Sequence, residues 1–308
     1  MSERHPPARA LPAGLDAPLL VLGVVAVSFS AVLIREADAP PLTIALYRNV
    51  IATLLLLPFA LGRHRAELRS LTRRQIRLAF ASGALLAAHF ALWIPSLEYT
   101  SVAASVVLVT TQPVWTALGG RVLYGERLQA GTLGGIGLAL AGALIITGGD
   151  IAVSGRAAFG DLLAIGGAVA AAGYFLIGRN LRQELSLVPY VTVVYATCSL
   201  LLVPVVLISG SQLIGFPAKT WWMFLLMALV PQIMGHTVFN YLLRFMDPTV
   251  VAIAIMGEPV GATLLALAFY GETPPWSVVV GGAIVLAGIY VAIRAQGRRR
   301  TVPEAVVE

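Results

Sequence analysis

Long apolar runs separated by short polar segments fill most of the chain from residue 18 onward. A helix needs about 20 mostly apolar residues to cross the ~30 Å hydrocarbon layer of a membrane. By that criterion the pattern predicts ten membrane-spanning helices, at residues 18–34, 42–62, 77–96, 101–120, 130–148, 158–178, 189–209, 221–243, 248–270 and 276–293. The connections between them are too short to hold a folded extramembrane domain. We therefore predict an all-α integral membrane protein, flanked by an unstructured N-terminus over residues 1–17 and an unstructured tail over residues 294–308.

The composition agrees with a membrane protein. Of the 308 residues, 58% are hydrophobic and only 12% are charged, and the mean hydropathy is +0.86. Soluble domains carry about 25% charged residues, so an ordinary soluble enzyme is excluded. The single cysteine, Cys198, excludes a disulfide framework and a thiolate metal cluster. Two of the four histidines lie outside the predicted spans, so we expect neither a metal site nor a cofactor.

The basic residues indicate topology rather than nucleic-acid binding. The net charge is +6, but the arginines stand at the ends of apolar runs instead of forming a stripe. With the N-terminus inside, seventeen of the 21 basic residues fall in inner segments, and only Arg35, Arg156 and Lys219 fall in outer loops. Because cytoplasmic loops are enriched in Lys and Arg, we predict that both termini are cytoplasmic. Membrane lipid is an expected partner, and nucleic acid is not.

The chain contains an internal repeat. Gln112-Pro113 and Tyr124-Gly125-Glu126 recur 146 residues later as Glu258-Pro259 and Tyr270-Gly271-Glu272, and a similar offset relates other positions throughout the two halves. The halves, residues 18–148 and 158–293, hold five predicted helices each. Because five is odd, the second copy enters the membrane from the opposite side. The sequence therefore predicts two inverted repeats, an architecture of many secondary transporters.

Ten helices in two such repeats, each with a Pro–Gly–Glu block in its fourth helix, resemble the EamA-type branch of the drug/metabolite transporter superfamily. The resemblance covers residues 18–293 and rests on the two blocks at Gln112–Glu126 and Glu258–Glu272. It implies a secondary transporter of a bacterial cytoplasmic membrane, commonly an exporter of amino acids, related metabolites or drugs. It also implies a cavity lined by the first, third, fourth, sixth, eighth and ninth helices, but it does not imply a particular substrate.

Polar residues within the spans are the candidate site. Glu258 and Gln112 hold equivalent places about mid-membrane, each before a proline that permits a helix kink. We expect Glu258 to recognise a substrate amine or carry a proton; the alternative is a structural hydrogen bond to a neighbouring helix. The eighth span aligns Gln232, His236 and Asn240 at i, i+4 and i+8, which predicts a polar stripe facing the protein interior.

Four further residues complete the candidate set. His89 and Trp93 lie four residues apart on the third span, and His236 is almost one repeat offset from His89. We expect the histidines to flank the cavity and to titrate near neutral pH, with His236 joining Glu258 in proton coupling; a helix–helix hydrogen bond is the alternative for each. Arg48 is expected near the outer interface, either snorkelling to water or pairing with Glu36, Asp38 or a substrate carboxylate. Trp93 and Tyr174 are candidates to stack on the substrate, with ordinary packing as the alternative.

The sequence favours a secondary transporter, active or facilitative, that works on a small polar or amphipathic solute by alternating access. An intramembrane enzyme or lipid-modifying protein on a duplicated helical scaffold is the alternative, and a channel is a third. The chain has no Walker-type glycine loop for ATP-driven transport. Substrate, direction, coupling ion and the choice between monomer and homodimer stay open at this point.

Overall fold

The computed structural model describes residues 15–100, 105, 108–125, 129–146, 155–271, 273–274 and 276–300. Over these residues the ordered elements are all helical. They are α1 (Asp16–Ala37), α2 (Pro41–Gly62), α3 (Arg65–Arg69), α4 (Arg73–Tyr99), α5 (Gln112–Tyr124), α6 (Ala130–Ile146), α7 (Gly155–Glu184), α8 (Leu187–Ile208), α9 (Ala218–Met227), a π-helix (Ala228–Thr237), α10 (Val238–Leu242), α11 (Pro248–Ile255), α12 (Glu258–Tyr270) and α13 (Trp276–Arg300).

Eight of the ten predicted spans are found as helices long and apolar enough to cross a membrane, counting only the described residues. The other two, residues 101–120 and 130–148, contain the shorter helices α5 and α6. Part of the first of these, including residues 101–104, lies outside the described residues, so ten crossings remain a prediction. The N-terminal tail up to residue 14 and the last eight residues also lie outside them. Between residues 294 and 300 the expected unstructured tail is wrong, because α13 continues through Arg300.

The chain packs as two compact units that do not coincide with the two repeats. One unit combines residues 15–87 with 174–251, and the other combines residues 88–173 with 252–300. Each unit therefore takes helices from both halves of the sequence. We refer to them below as the first and second unit.

The first unit is built on α1, α2, α8, α9 and the π-helix. Leu33, Ala37, Ile44, Phe224 and Met227 form a buried apolar cluster in it. At one end, Tyr47 donates a hydrogen bond to the Leu213 carbonyl at 2.7 Å. At another place, the Glu67 carboxylate accepts the backbone N–H of Ser186 at 2.6 Å, just before α8 begins. These bonds tie both of the segments that flank α8 to the rest of the unit.

The second unit is centred on α6 and α13, which pack through glycine. A methyl group on Gly142 would lie 2.6 Å from the Gly281 carbonyl oxygen, and one on Gly288 would lie 2.7 Å from the Gly135 carbonyl oxygen. Close approach of this kind requires small residues, which explains Gly135, Gly142 and Gly288, whereas a methyl group on Gly134 or Gly137 would meet nothing within 4 Å.

These two contacts are equivalent under the 146-residue repeat. Gly135 corresponds to Gly281, and Gly142 corresponds to Gly288, so each contact maps onto the other when the repeats are exchanged. Later positions of α6 meet earlier positions of α13, which means that the two helices run antiparallel. Two equivalent helices that cross antiparallel are related by a two-fold axis perpendicular to both, as inverted repeats require.

Candidate functional site

The polar stripe of the eighth span does not lie on a regular α-helix. Residues Ala228–Thr237 form a π-helix, in which hydrogen bonds close from i to i+5 and side chains turn by less per residue. Pro231 lies inside it, lacks an N–H and displaces the preceding turn. The Thr237 hydroxyl accordingly donates to the Gln232 carbonyl five residues back, at 3.1 Å. Gln232 and Asn240 are fully buried, as predicted for an interior stripe, while His236 is half-buried.

Arg48 is buried within the first unit, with 4% of its surface exposed. Its Nε donates to the Gln232 side-chain oxygen at 2.9 Å, joining α2 to the π-helix. The expectation that Arg48 snorkels to the interface is therefore wrong. A buried guanidinium needs hydrogen-bond acceptors to offset its lost hydration, and the amide of Gln232 supplies one. The carboxylate of Glu36, considered above as a partner of Arg48, forms an ion pair with Lys219 at 2.7 Å.

Tyr174 is tied into the same unit and cannot present its ring to a solute. It is 1% exposed, and its hydroxyl accepts a hydrogen bond from Asn240 Nδ2. Asn240 Nδ2 also donates to the His236 carbonyl at 2.7 Å. In this structure the ring of Tyr174 lies inside the packed core. The alternative, ordinary packing, is what the structure has.

Three residues of this network were not singled out by the sequence pattern. Tyr195 lies 3.0 Å from the Thr237 hydroxyl, and the buried Arg182 donates to the Asn240 carbonyl at 3.1 Å and to the Leu185 carbonyl. Arg182 was counted only as a topology signal, because it stands at the end of an apolar run. The sequence does contain one sign of this role: Arg182 lies shortly before the start of the next helix. An arginine in that place can donate to backbone carbonyl groups at helix ends instead of facing water.

In the second unit, His89 and Trp93 form a stacked pair on α4. Their ring centroids are 5.7 Å apart and the rings are 16° from parallel. His89 Nδ1 lies 2.9 Å from the Gly167 carbonyl oxygen on α7, so the helix–helix hydrogen bond considered for His89 is present. Gly167 permits this approach, because a methyl group there would lie 2.9 Å from Trp93 Cβ.

Before each of the two prolines a two-residue turn interrupts the α-helix, while the cap residues Thr111 and Gly257 keep a right-handed helical backbone. In the ninth span, α11 ends at Ile255 and α12 begins at Glu258. In the fourth span, Thr110 and Thr111 form a turn and α5 begins at Gln112. Pro113 and Pro259 each occupy the first turn of the new helix, where a missing N–H is tolerated. Gln112 and Glu258 thus open equivalent half-helices.

Each half-helix ends in the same way. Gly125 and Gly271 have φ of 66° and 67°, the left-handed conformation that glycine adopts without strain, and terminate α5 and α12. This explains the glycine of both Tyr-Gly-Glu blocks. The glutamates that follow, Glu126 and Glu272, lie outside the described residues.

Both broken helices rest on the α6–α13 pair. Val114 and Ala117 of α5 share an apolar cluster with Ile136, Ala292 and Ile253. Met256, in the break of the ninth span, and Val260 of α12 share another cluster with Ala139 and Val285. In the second unit, Gln112 and Glu258 therefore begin two helices that both pack against α6 and α13. Among the described residues, no three His, Cys, Asp or Glu side chains come close enough to hold a metal ion.

A family model described as the EamA-like transporter family matches residues 17–148 and 158–294. The chain belongs to the EamA-like transporter family. The matched ranges differ by at most one residue at each end from the two repeats read from the sequence. Membership establishes a multi-pass membrane transporter built from two repeats.

Relatives of this EamA-like chain are also named as transporters. Two proteins of Archaeoglobus fulgidus, each called an uncharacterized transporter, are 25% identical over 90% and 89% of this chain and 96% and 95% of their own lengths. The Bacillus subtilis uncharacterized transporter YdfC is 22% identical over 88% of this chain and 87% of its own. A crystal structure 17% identical in sequence has a TM-score of 0.80 and covers 94% of this chain, which shows the fold.

Proposed function

We propose that this EamA-like protein is a secondary transporter that exports a small polar or amphipathic metabolite, such as an amino acid or a drug, across a bacterial cytoplasmic membrane. In this proposal the chain crosses the membrane ten times with both termini in the cytoplasm. Export and location rest on the family resemblance, and orientation rests on the distribution of Arg and Lys.

The observation that carries the proposal is the pair of equivalent helix breaks before Gln112 and Glu258. In secondary transporters, broken helices place unpaired backbone groups and helix ends inside the membrane, where they bind solutes and coupling ions.

The antiparallel contact of α6 and α13 supports alternating access in this proposal. The contacts Gly142–Gly281 and Gly288–Gly135 exchange when the repeats exchange. If the two repeats exchange conformations about the two-fold axis that relates them, the molecule has an inward-open and an outward-open form of equal architecture. The solute is then carried by interconversion of the two forms.

Among the candidate residues, Glu258, Gln112, His89 and Trp93 are proposed to contact solute. Glu258 and His236 are proposed to carry the coupling proton, since a carboxylate and an imidazole can each bind and release one. Arg48, Asn240 and Tyr174 are assigned to support instead, because their side chains are buried and bonded to the π-helix, to its flank and to each other. They hold the shape of the first unit.

Purified protein in liposomes tests the proposal. We expect saturable uptake and counterflow of unmodified solute; chemical conversion would support an enzyme, and flux without saturation or counterflow would support a channel. The Glu258→Gln and His236→Ala variants are expected to lose transport or its response to a proton gradient while remaining monodisperse. Glu98→Gln, an exposed carboxylate, is the matched control and should transport normally. Unchanged transport by both test variants would contradict the assigned roles.

A further inference from the structure

The two half-helices of the second unit differ in the residue that opens them. The first turn of α12 carries an acidic residue, Glu258, whereas the first turn of α5 carries none and begins with Gln112. A helix N-terminus has a partial positive charge that favours a nearby anion. The repeat thus supplies its own carboxylate at one break and a neutral amide at the equivalent break.

The start of α5 also lacks a side-chain cap. Thr111, in the cap position, makes no capping hydrogen bond; its hydroxyl donates to the Leu108 carbonyl at 2.6 Å and accepts from Trp115 Nε1 at 3.0 Å. Pro113 has no N–H to donate. The Val114 N–H bonds the Thr111 carbonyl at 2.9 Å, and no side-chain acceptor among the described residues offsets the partial positive charge at this end of the helix.

Gln112 itself points to a group from outside the chain. Its side chain is 8% exposed, and its buried Nε2 finds no hydrogen-bond partner in the part of the chain that the structure describes. An amide N–H₂ removed from water without a partner is unfavourable. An oxygen acceptor at this position would remove the penalty.

A second donor of the same kind lies on α4. Trp93 Nε1 is buried and also has no partner among the described residues. Indole N–H can only donate. The Ser96 hydroxyl, one turn after Trp93, lies 2.6 Å from the hydroxyl of Ser105, which precedes Gln112 by seven residues on the same predicted span. The two unpartnered donors are therefore on neighbouring segments of one unit.

We propose that the N-terminus of α5, with Gln112 Nε2 and with Trp93 Nε1 from α4, receives oxygen acceptors of the transported solute, and that the solute carries a carboxylate. This inference rests on the proposed transport function and adds the chemical group that is recognised. It excludes a purely cationic solute as the preferred cargo, because an ammonium group has no acceptor to offer these donors.

Three probes that share a phenylethyl group test the carboxylate requirement: 3-phenylpropionate has a carboxylate only, phenethylamine an amine only, and phenylalanine both. We expect 3-phenylpropionate and phenylalanine to raise the melting temperature of the purified wild-type protein, and phenethylamine to have little effect. In Gln112→Leu and Trp93→Phe, the apparent affinity for the carboxylates should fall by about ten-fold or more, the usual effect of losing one hydrogen bond to a charged group.

Two further variants make the result specific. Gln112→Glu keeps the size of the side chain but replaces the donors with a negative charge, so it should weaken carboxylate binding at least as much as Gln112→Leu. Trp222→Phe removes an exposed indole and should bind as the wild type does. Equal responses of wild type, Gln112→Leu and Trp93→Phe to the carboxylates, including no response in any of them, contradict the proposal and would mean that water satisfies both donors.

Flux measurements separate this inference from the transporter proposal. Donor-dependent carboxylate binding without counterflow in liposomes would overturn the transport function and leave the carboxylate site standing. Saturable counterflow of phenethylamine that is unchanged in Gln112→Leu and in Trp93→Phe would overturn the carboxylate site and leave the transport function standing.

Discussion

Buried polar side chains are where the sequence was most informative about position and least informative about partners. Gln232 and Asn240 were predicted to face inward, and both are fully buried. Arg48 was expected to reach water, because its place near the end of a span permits snorkelling. Its partner is 184 residues away on the π-helix. Hydrophobic periodicity tells which face of a helix is buried but not which other helix lies against that face.

The Arg48–Gln232 bond gives a prediction at the same scale. Replacing Gln232 with Leu leaves the buried Nε of Arg48 without this acceptor, and we expect a loss of about 1–3 kcal/mol of stability. Thermal unfolding in detergent measures it. The control is Gln183→Leu, where an exposed amide that bonds the Arg244 carbonyl is removed and the change should stay within about 0.5 kcal/mol. Equal melting temperatures for the two variants would show that the buried bond contributes nothing.

At the scale of elements, apolar run length located the spans, but local breaks within them needed the structure. The sequence predicts only a kink before Gln112 and before Glu258, where the structure has a two-residue turn. A proline in a sequence does not reveal whether it lies inside a helix or in the first turn of a new one. The π-helix had no expected counterpart. Pro231 lies inside it and Gly235 packs tightly against Val27, but the hydrophobic pattern of the sequence does not distinguish a π-helix from an α-helix.

The packing of α6 on α13 was predictable from its glycines, and it allows a sharp test. A methyl group on Gly135 would lie 2.6 Å from Ala292 Cβ and 2.7 Å from backbone atoms of Ala292 and Gly288. Gly135→Ala should therefore cost roughly 1–3 kcal/mol through overpacking.

The matched control lies two residues along the same helix. Beyond its own stretch of helix, Gly137 has no atom within 4 Å of the position a methyl group would take. Gly137→Ala should be neutral or stabilising by up to about 1 kcal/mol, since alanine favours the helix. Thermal unfolding of both variants is the measurement. Similar melting temperatures for Gly135→Ala and Gly137→Ala would show that the two helices are not in close contact.

For the whole molecule, the two repeats could be read directly from the 146-residue offset, and the family model matches the same ranges. The two compact units could not be predicted from the sequence, because each combines helices from both repeats. That arrangement depends on which spans pack together in three dimensions. It places Arg48, Asn240, Tyr174 and His236 in the first unit and Gln112, Glu258, His89 and Trp93 in the second.

The central claim is that the two repeats are inserted in opposite directions, and cysteine labelling at repeat-equivalent sites tests it without knowledge of the solute. Ala66 and Gln212 are related by the 146-residue offset, and both are exposed. The only native cysteine, Cys198, is fully buried and should give little background. In intact cells, a membrane-impermeant maleimide should label Gln212→Cys but label Ala66→Cys only after permeabilisation. Labelling of both sites from the same side would contradict the inverted architecture.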